Sequence, residues 1–132
     1  MNSDPDLELN GFALWVHMRE FPDEDWLTIT ARMQTSGAFV EAEGPILRVA
    51  ERRSFADELR RMIDALSGSA TLEVLEPGLR LSLQLQRLGG VSAELFITPD
   101  QLTQKHNFSF GVDQTYFLPL LRSCESVLAR FS

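Results

Sequence analysis

From Leu7 to Met18 apolar residues recur at every second position, with Leu7 and Leu9 followed by Phe12, Leu14, Val16 and Met18. That is the period of a strand with one buried face. Gly11 breaks the phase, which suggests a bulge within the run. Phe21 to Asp25 contains Pro22 and three consecutive acids and reads as a turn. Leu27, Ile29, Ala31 and Met33 then resume the two-residue period. The two runs form an antiparallel hairpin. Ser36-Gly37 marks the next turn, and a third strand from Ala38 to Val49 is interrupted at Glu43-Gly44-Pro45.

The period then changes. Phe55, Leu59, Met62, Ile63 and Leu66 fall on one stripe of a helix. Ser54 and Asp57 form a capping pair at its start, and Gly68 supplies a left-handed residue at its end. Asp57 and Arg61, four apart, lie on its wet side. Strands follow. Thr71 to Leu75 ends at Glu76-Pro77-Gly78, and Leu79, Leu81, Leu83 and Leu85 alternate with Arg80, Ser82, Gln84 and Gln86. Gly89-Gly90 permits a reversal into Val91, Ala93, Leu95 and Ile97, and Phe108, Phe110 and Val112 close the series. A second helix from about Thr115 to Phe131 carries Phe117, Leu121, Cys124, Leu128 and Phe131 on one stripe. Starting it at Thr115 places Pro119 in the first turn, where a missing N–H costs little. The expected fold is α+β: an antiparallel sheet of six to seven strands with two helices on one face, in the order βββ-α-ββββ-α. At 132 residues the chain makes one domain.

Charge narrows the classes of partner. Twelve Lys and Arg face nineteen Asp and Glu, a net charge of -7, which repels phosphate backbones and anionic lipid surfaces. Nucleic acid is excluded as a partner on this ground. The excess is uneven: residues 1–50 hold nine acids and three bases, and residues 51–132 hold ten and nine. No apolar run approaches the roughly 20 residues of a membrane span. The acidic N-terminus lacks the basic and apolar segments of a signal peptide, and the single Cys124 fits a reducing compartment. A cytoplasmic location is expected.

Catalytic sets are missing. His17 and His106 are far apart and not at metal-ligand spacing, so no metal or other cofactor is expected. His17 shares a strand face with Trp15, opposite Leu14 and Val16, and reads as a surface or edge histidine. Asp23-Glu24-Asp25 lacks the spread of oxygens of a calcium loop and reads as a solvated turn or an acidic contact patch. Cys124 lies on an apolar stripe and reads as an inert core thiol. No glycine pattern forms a phosphate cradle. Asp113-Gln114-Thr115-Tyr116 joins a strand to a helix, where capping explains Asp113 and Thr115 without chemistry.

Several blocks nonetheless resemble one family. Asp25-Trp26-Leu27 precedes a strand, Phe55-x-x-Glu58-Leu59 lies in the first helix, and Leu66-Ser67-Gly68-Ser69-Ala70-x-Leu72 follows it. Glu76-Pro77-x-Leu79-x-Leu81 and Phe108-x-Phe110-x-x-Asp113-Gln114-Thr115-Tyr116 complete the set. Together they are similar to the WapI-type immunity family of bacteria. The resemblance implies a small cytoplasmic protein that binds and neutralises a cognate toxin domain, with no catalytic residues. The matching positions Trp26, Leu59, Gly68, Leu72, Pro77 and Tyr116 look architectural.

Two expectations for the site follow. An immunity-like inhibitor facing a basic toxin would use the acids of the N-terminal half: Glu20, Asp23, Glu24, Asp25, Glu41 and Glu43. The alternative is a small-molecule-binding or enzymatic domain whose pocket, between the sheet and the last helix, is lined by His106, Asp113, Thr115 and Tyr116. Homo-oligomerisation through an exposed sheet edge is compatible with either.

Overall fold

Asn10 and Gly11 both have positive φ, 47° and 98°, the combination that a two-residue type I′ hairpin turn needs. The break at Gly11 is therefore a chain reversal and not a bulge. It divides the first run into β1 (Leu7–Leu9) and β2 (Phe12–Arg19), with Leu9 opposite Phe12. The fold is known from a computed structural model, which describes residues 4–19, 26–74, 78–85 and 90–131.

β3 (Trp26–Thr35) and β4 (Ala38–Arg48) complete a four-stranded meander in the order β1-β2-β3-β4. β4 runs through Glu43-Gly44-Pro45 without interruption. A register shift opposite Leu27 and Thr28 absorbs the extra residue. Next come α1 (Val49–Ala65) and a second antiparallel meander of β5 (Gly68–Glu73), β6 (Leu79–Leu85), β7 (Gly90–Ile97) and β8 (His106–Asp113). A single 3-10 turn, Gln114–Tyr116, leads into α2 (Phe117–Phe131). The expected single sheet is thus two four-stranded sheets, and the order ββββα occurs twice.

Helix boundaries also differ from the sequence expectation. α1 starts before Ser54, because the Glu51 carboxylate accepts a hydrogen bond from the Arg48 N–H at 2.7 Å and satisfies a group that the helix would otherwise leave open. At its end the left-handed residue is Leu66, φ 55°, and not Gly68. Pro119 lies in the first turn of α2.

The inward residues of both sheets join the buried faces of α1 and α2 in one apolar core. Leu14, Ile29, Ala31, Leu59, Leu72, Leu81 and Leu83 have essentially no exposed surface. β3 and β4 approach β7, α1 packs on α2 and along β5, and α2 reaches β1. The helices therefore seal the sides of a core whose two sheets keep their outer faces in water. Arg52 is the largest of the fully buried side chains. No helix among the described residues is long and apolar enough to cross a membrane.

Candidate partner-binding face

Alternation along the N-terminal sheet sends Leu14, Val16, Ile29, Ala31 and Ala42 inward and Trp15, Thr30, Arg32 and Glu41 outward. Register decides which of the outward residues meet. Trp15 stands opposite Thr30, Arg32 opposite both Ala13 and Glu41, and Gln34 opposite Phe39. The pairing brings the Arg32 guanidinium to 4.5 Å from the centroid of the Trp15 ring and 5.9 Å from that of Phe39. Arg32 thus bridges two aromatic rings, an arrangement worth about 0.5–1 kcal/mol for each exposed cation–π contact. Phe39 is 57% exposed.

Beside this cluster the register shifts between Val16 and Met18, which leaves His17 as the extra residue of a bulge. Its Nε2 lies 2.6 Å from Thr30 Oγ1. Trp15, His17, Thr30, Arg32 and Glu41 line a shallow, open depression of about 570 Å³. Trp15 and Arg32 line it from the two inner strands, β2 and β3, and Glu8 and Glu41 from the two outer strands, β1 and β4. Glu8 on β1 and Glu41 and Glu43 on β4 are exposed at opposite sides of the sheet. Trp, Phe and Arg are the residue types enriched at the energetic centres of protein interfaces.

Of the six acids expected at a partner surface, Glu41 and Glu43 stand on this face, with Glu43 opposite Thr30. Glu20, Asp23, Glu24 and Asp25 lie outside the described residues. The aromatic and guanidinium centre is absent from the sequence expectation, although a signal existed: Trp15 on a polar strand face is an apolar residue without a core to enter. Pairing it with Arg32 and Phe39 required the register.

The four residues of the alternative pocket do not converge. His106 and Asp113 occupy opposite ends of β8, about 23 Å apart at strand rise. His106 Nε2 is 2.9 Å from Gln104 Oε1, and the Asp113 carboxylate accepts from Thr115 N–H at 2.9 Å, a local cap. Tyr116 is 55% exposed. It is thus not part of the packed frame, unlike the buried Leu59 and Leu72 and the half-buried Trp26, over which Arg48 lies at 5.8 Å. Gly68, with φ 102°, does have a conformational role at the start of β5. Pro77 lies outside the described residues.

Other titratable groups are absorbed by structure. The Thr103 hydroxyl and the Leu102 N–H, both bonded to the Asp100 carboxylate, lower its pKa in the loop before β8. Burial pushes the Cys124 thiol up to about 11 despite the opposing charge of Arg52 nearby, so this cysteine stays protonated and unreactive at neutral pH. Among the described residues no group of three or more His, Cys, Asp or Glu side chains is placed to hold a metal ion.

No curated protein matches the chain. The family model for the immunity protein WapI-like family matches residues 5–132. With a match over nearly its whole length, the chain belongs to the WapI-like immunity protein family.

Proposed function

We propose that the chain binds and neutralises a cognate toxin domain through the outer face of its N-terminal sheet, acting by occlusion and without chemistry of its own. The observation that carries this reading is the Trp15–Arg32–Phe39 cluster, half-buried at Trp15 and Arg32 and exposed at Phe39, on the outer face of a sheet whose other face is packed. Three large side chains fixed against one another lose little conformational entropy on binding, which favours affinity per contact.

The charge distribution supports a basic partner. Glu41 and Glu43 flank the cluster, and Glu20, Asp23, Glu24 and Asp25 belong to the same acidic half of the chain. Opposite charge on the toxin would raise the association rate at low salt and fix the orientation of docking. The same acidity disfavours nucleic acid and anionic membrane surfaces as partners.

The test is co-purification and growth rescue with the toxin encoded beside this chain. The wild-type protein captures the toxin and protects the cells, and Trp15→Ala and Arg32→Ala weaken capture while remaining folded. Loss of neither capture nor protection in both variants would remove the outer face from the mechanism.

A further inference from the structure

Each sheet ends in two strands with an open side, and these are β1, β4, β5 and β8. An open side is a template for another strand, and folds blunt it with shortness, charge, proline, bulges or a covering element. β1 has three residues. β4 carries Glu41, Glu43, Pro45 and a register shift. β5 is covered by α1, whose Glu58 accepts from Thr71 N–H at 3.1 Å.

β8 is the least protected of the four, with a single side-chain contact among the described residues on its open side and a charge only at its end, Asp113. From Asn107 to Val112 it reads Asn-Phe-Ser-Phe-Gly-Val, without charge or proline, and it pairs with β7 over eight residues in unbroken register. Gly111 turns its carbonyl away from β7, where it accepts from Asn10 Nδ2 at 3.1 Å. By the alternation of an antiparallel ladder, Asn107 and Ser109 aim their N–H and C=O groups the same way. Among the described residues nothing else bonds to that side of the strand.

We infer that β8 is a self-association edge, on which a second copy of this chain lays its own β8 antiparallel about a twofold axis at Ser109. That register sets Ser109 opposite its own counterpart, Asn107 opposite Gly111, and Phe108 opposite Phe110 on the apolar side, a favourable cross-strand aromatic pair. It also sets Lys105 of each copy opposite Asp113 of the other. A chain of net charge -7 repels its own copy. The acids on β4 would oppose one another in a twofold pair, whereas the acid at the end of β8 meets a lysine.

The contact is confined to one strand and lies at the low end of the roughly 1,200–2,000 Å² buried by stable complexes, so the dimer is weak and depends on concentration. Asn10 limits it further, because its amide must share the Gly111 carbonyl or swing aside. The inference is independent of which face binds the toxin.

Sedimentation of the isolated full chain across a concentration series tests it, together with Ser109→Lys and Ser109→Cys. The wild type is expected to move from the 14.9 kDa monomer toward twice that mass as concentration rises. Ser109→Lys, which faces water and leaves the β7 ladder intact, keeps the native circular dichroism and stays monomeric. On mild oxidation Ser109→Cys gives a disulfide-linked dimer, since directly opposed residues of this kind stand about 5.5 Å apart, and Asn107→Cys does not. Buried Cys124 does not compete. A wild type that stays monomeric to about 1 mM, or a dimer unaffected by Ser109→Lys, would overturn the inference; the weak end of protein affinity lies near that concentration.

Discussion

Arg32 lies over the Trp15 ring at 4.5 Å, although the two residues are seventeen positions apart and on different strands. The contact is made entirely on the wet side of the sheet, so its removal is expected to affect binding far more than folding. Trp15→Ala should cost about 2 kcal/mol or more of toxin affinity, as expected for an interface anchor, with a stability loss within about 1 kcal/mol. Arg32→Lys keeps the charge and loses the planar stack, and should recover only part of the affinity lost in Arg32→Ala. Calorimetric titration and urea unfolding of the same variants separate the two effects.

The acidic border is expected to act through rate and salt dependence. Reversal of Glu24, Glu41 and Glu43 to lysine should lower the association rate and flatten its fall with ionic strength, leaving the dissociation rate nearly unchanged. Stopped-flow association at a series of salt concentrations measures this. Identical salt slopes for variant and wild type would mean that the acidity serves solubility only.

The hairpin turn that frames the sheet is fixed by Gly11. A Cβ there would lie 2.6 Å from the Gln34 carbonyl oxygen, at a φ of 98°. At Gly37, φ 79°, a Cβ would meet open space. Gly37→Ala should cost about 1 kcal/mol from the backbone alone, and Gly11→Ala several times as much, because backbone has to move as well. Unfolding midpoints in urea give the comparison.

Cys124 gives a pH signature. Burial raises its folded pKa from 9.0 to about 11, so the native state favours the neutral thiol. The unfolded chain releases this proton first as pH rises. The contribution is therefore complete below pH 9 and is lost between about 9 and 11, up to about 2–3 kcal/mol at 1.36 kcal/mol per unit. Between pH 8 and pH 10.5 the wild type should lose more stability than Cys124→Ala, and native Cys124 should resist alkylation until denaturant is added.

Arg52, in the first turn of α1, is buried to 1% exposure between Val49 and Phe55 on the inward face of the helix. Arg52→Ala leaves a large void and should cost about 3–5 kcal/mol. Arg52→Met, which keeps the unbranched stem without the charge, should be markedly less damaging. Thermal melts of both variants test the order.

Much of the fold was legible because alternation and helical periodicity are local. The inward sets on β3 and β6, the α1 stripe at Phe55, Leu59 and Met62 and the core position of Cys124 follow directly from spacing, whereas Leu66, expected on the same stripe, caps the end of the helix and is 72% exposed. The division into two sheets was not legible, since it depends on which strands pair. The turn at Asn10-Gly11 was the one readable clue to an additional strand, because that dipeptide is a strong hairpin signal. The α1 start was missed because Glu51 does from the first turn what Ser54 was expected to do. At the candidate site, Glu41 and Glu43 could be chosen from charge. The Trp15–Arg32–Phe39 cluster could not, because no periodicity states which outward residues of neighbouring strands meet.

The most direct test of the binding face is a titration of the cognate toxin domain against the wild type and the double variant Trp15→Ala/Arg32→Ala, with growth protection measured in parallel. The expected result is tight binding by the wild type, loss of about a hundredfold or more in the folded double variant, and failure of that variant to protect. Undiminished affinity and full protection by the double variant would contradict the assignment of the outer face of the N-terminal sheet.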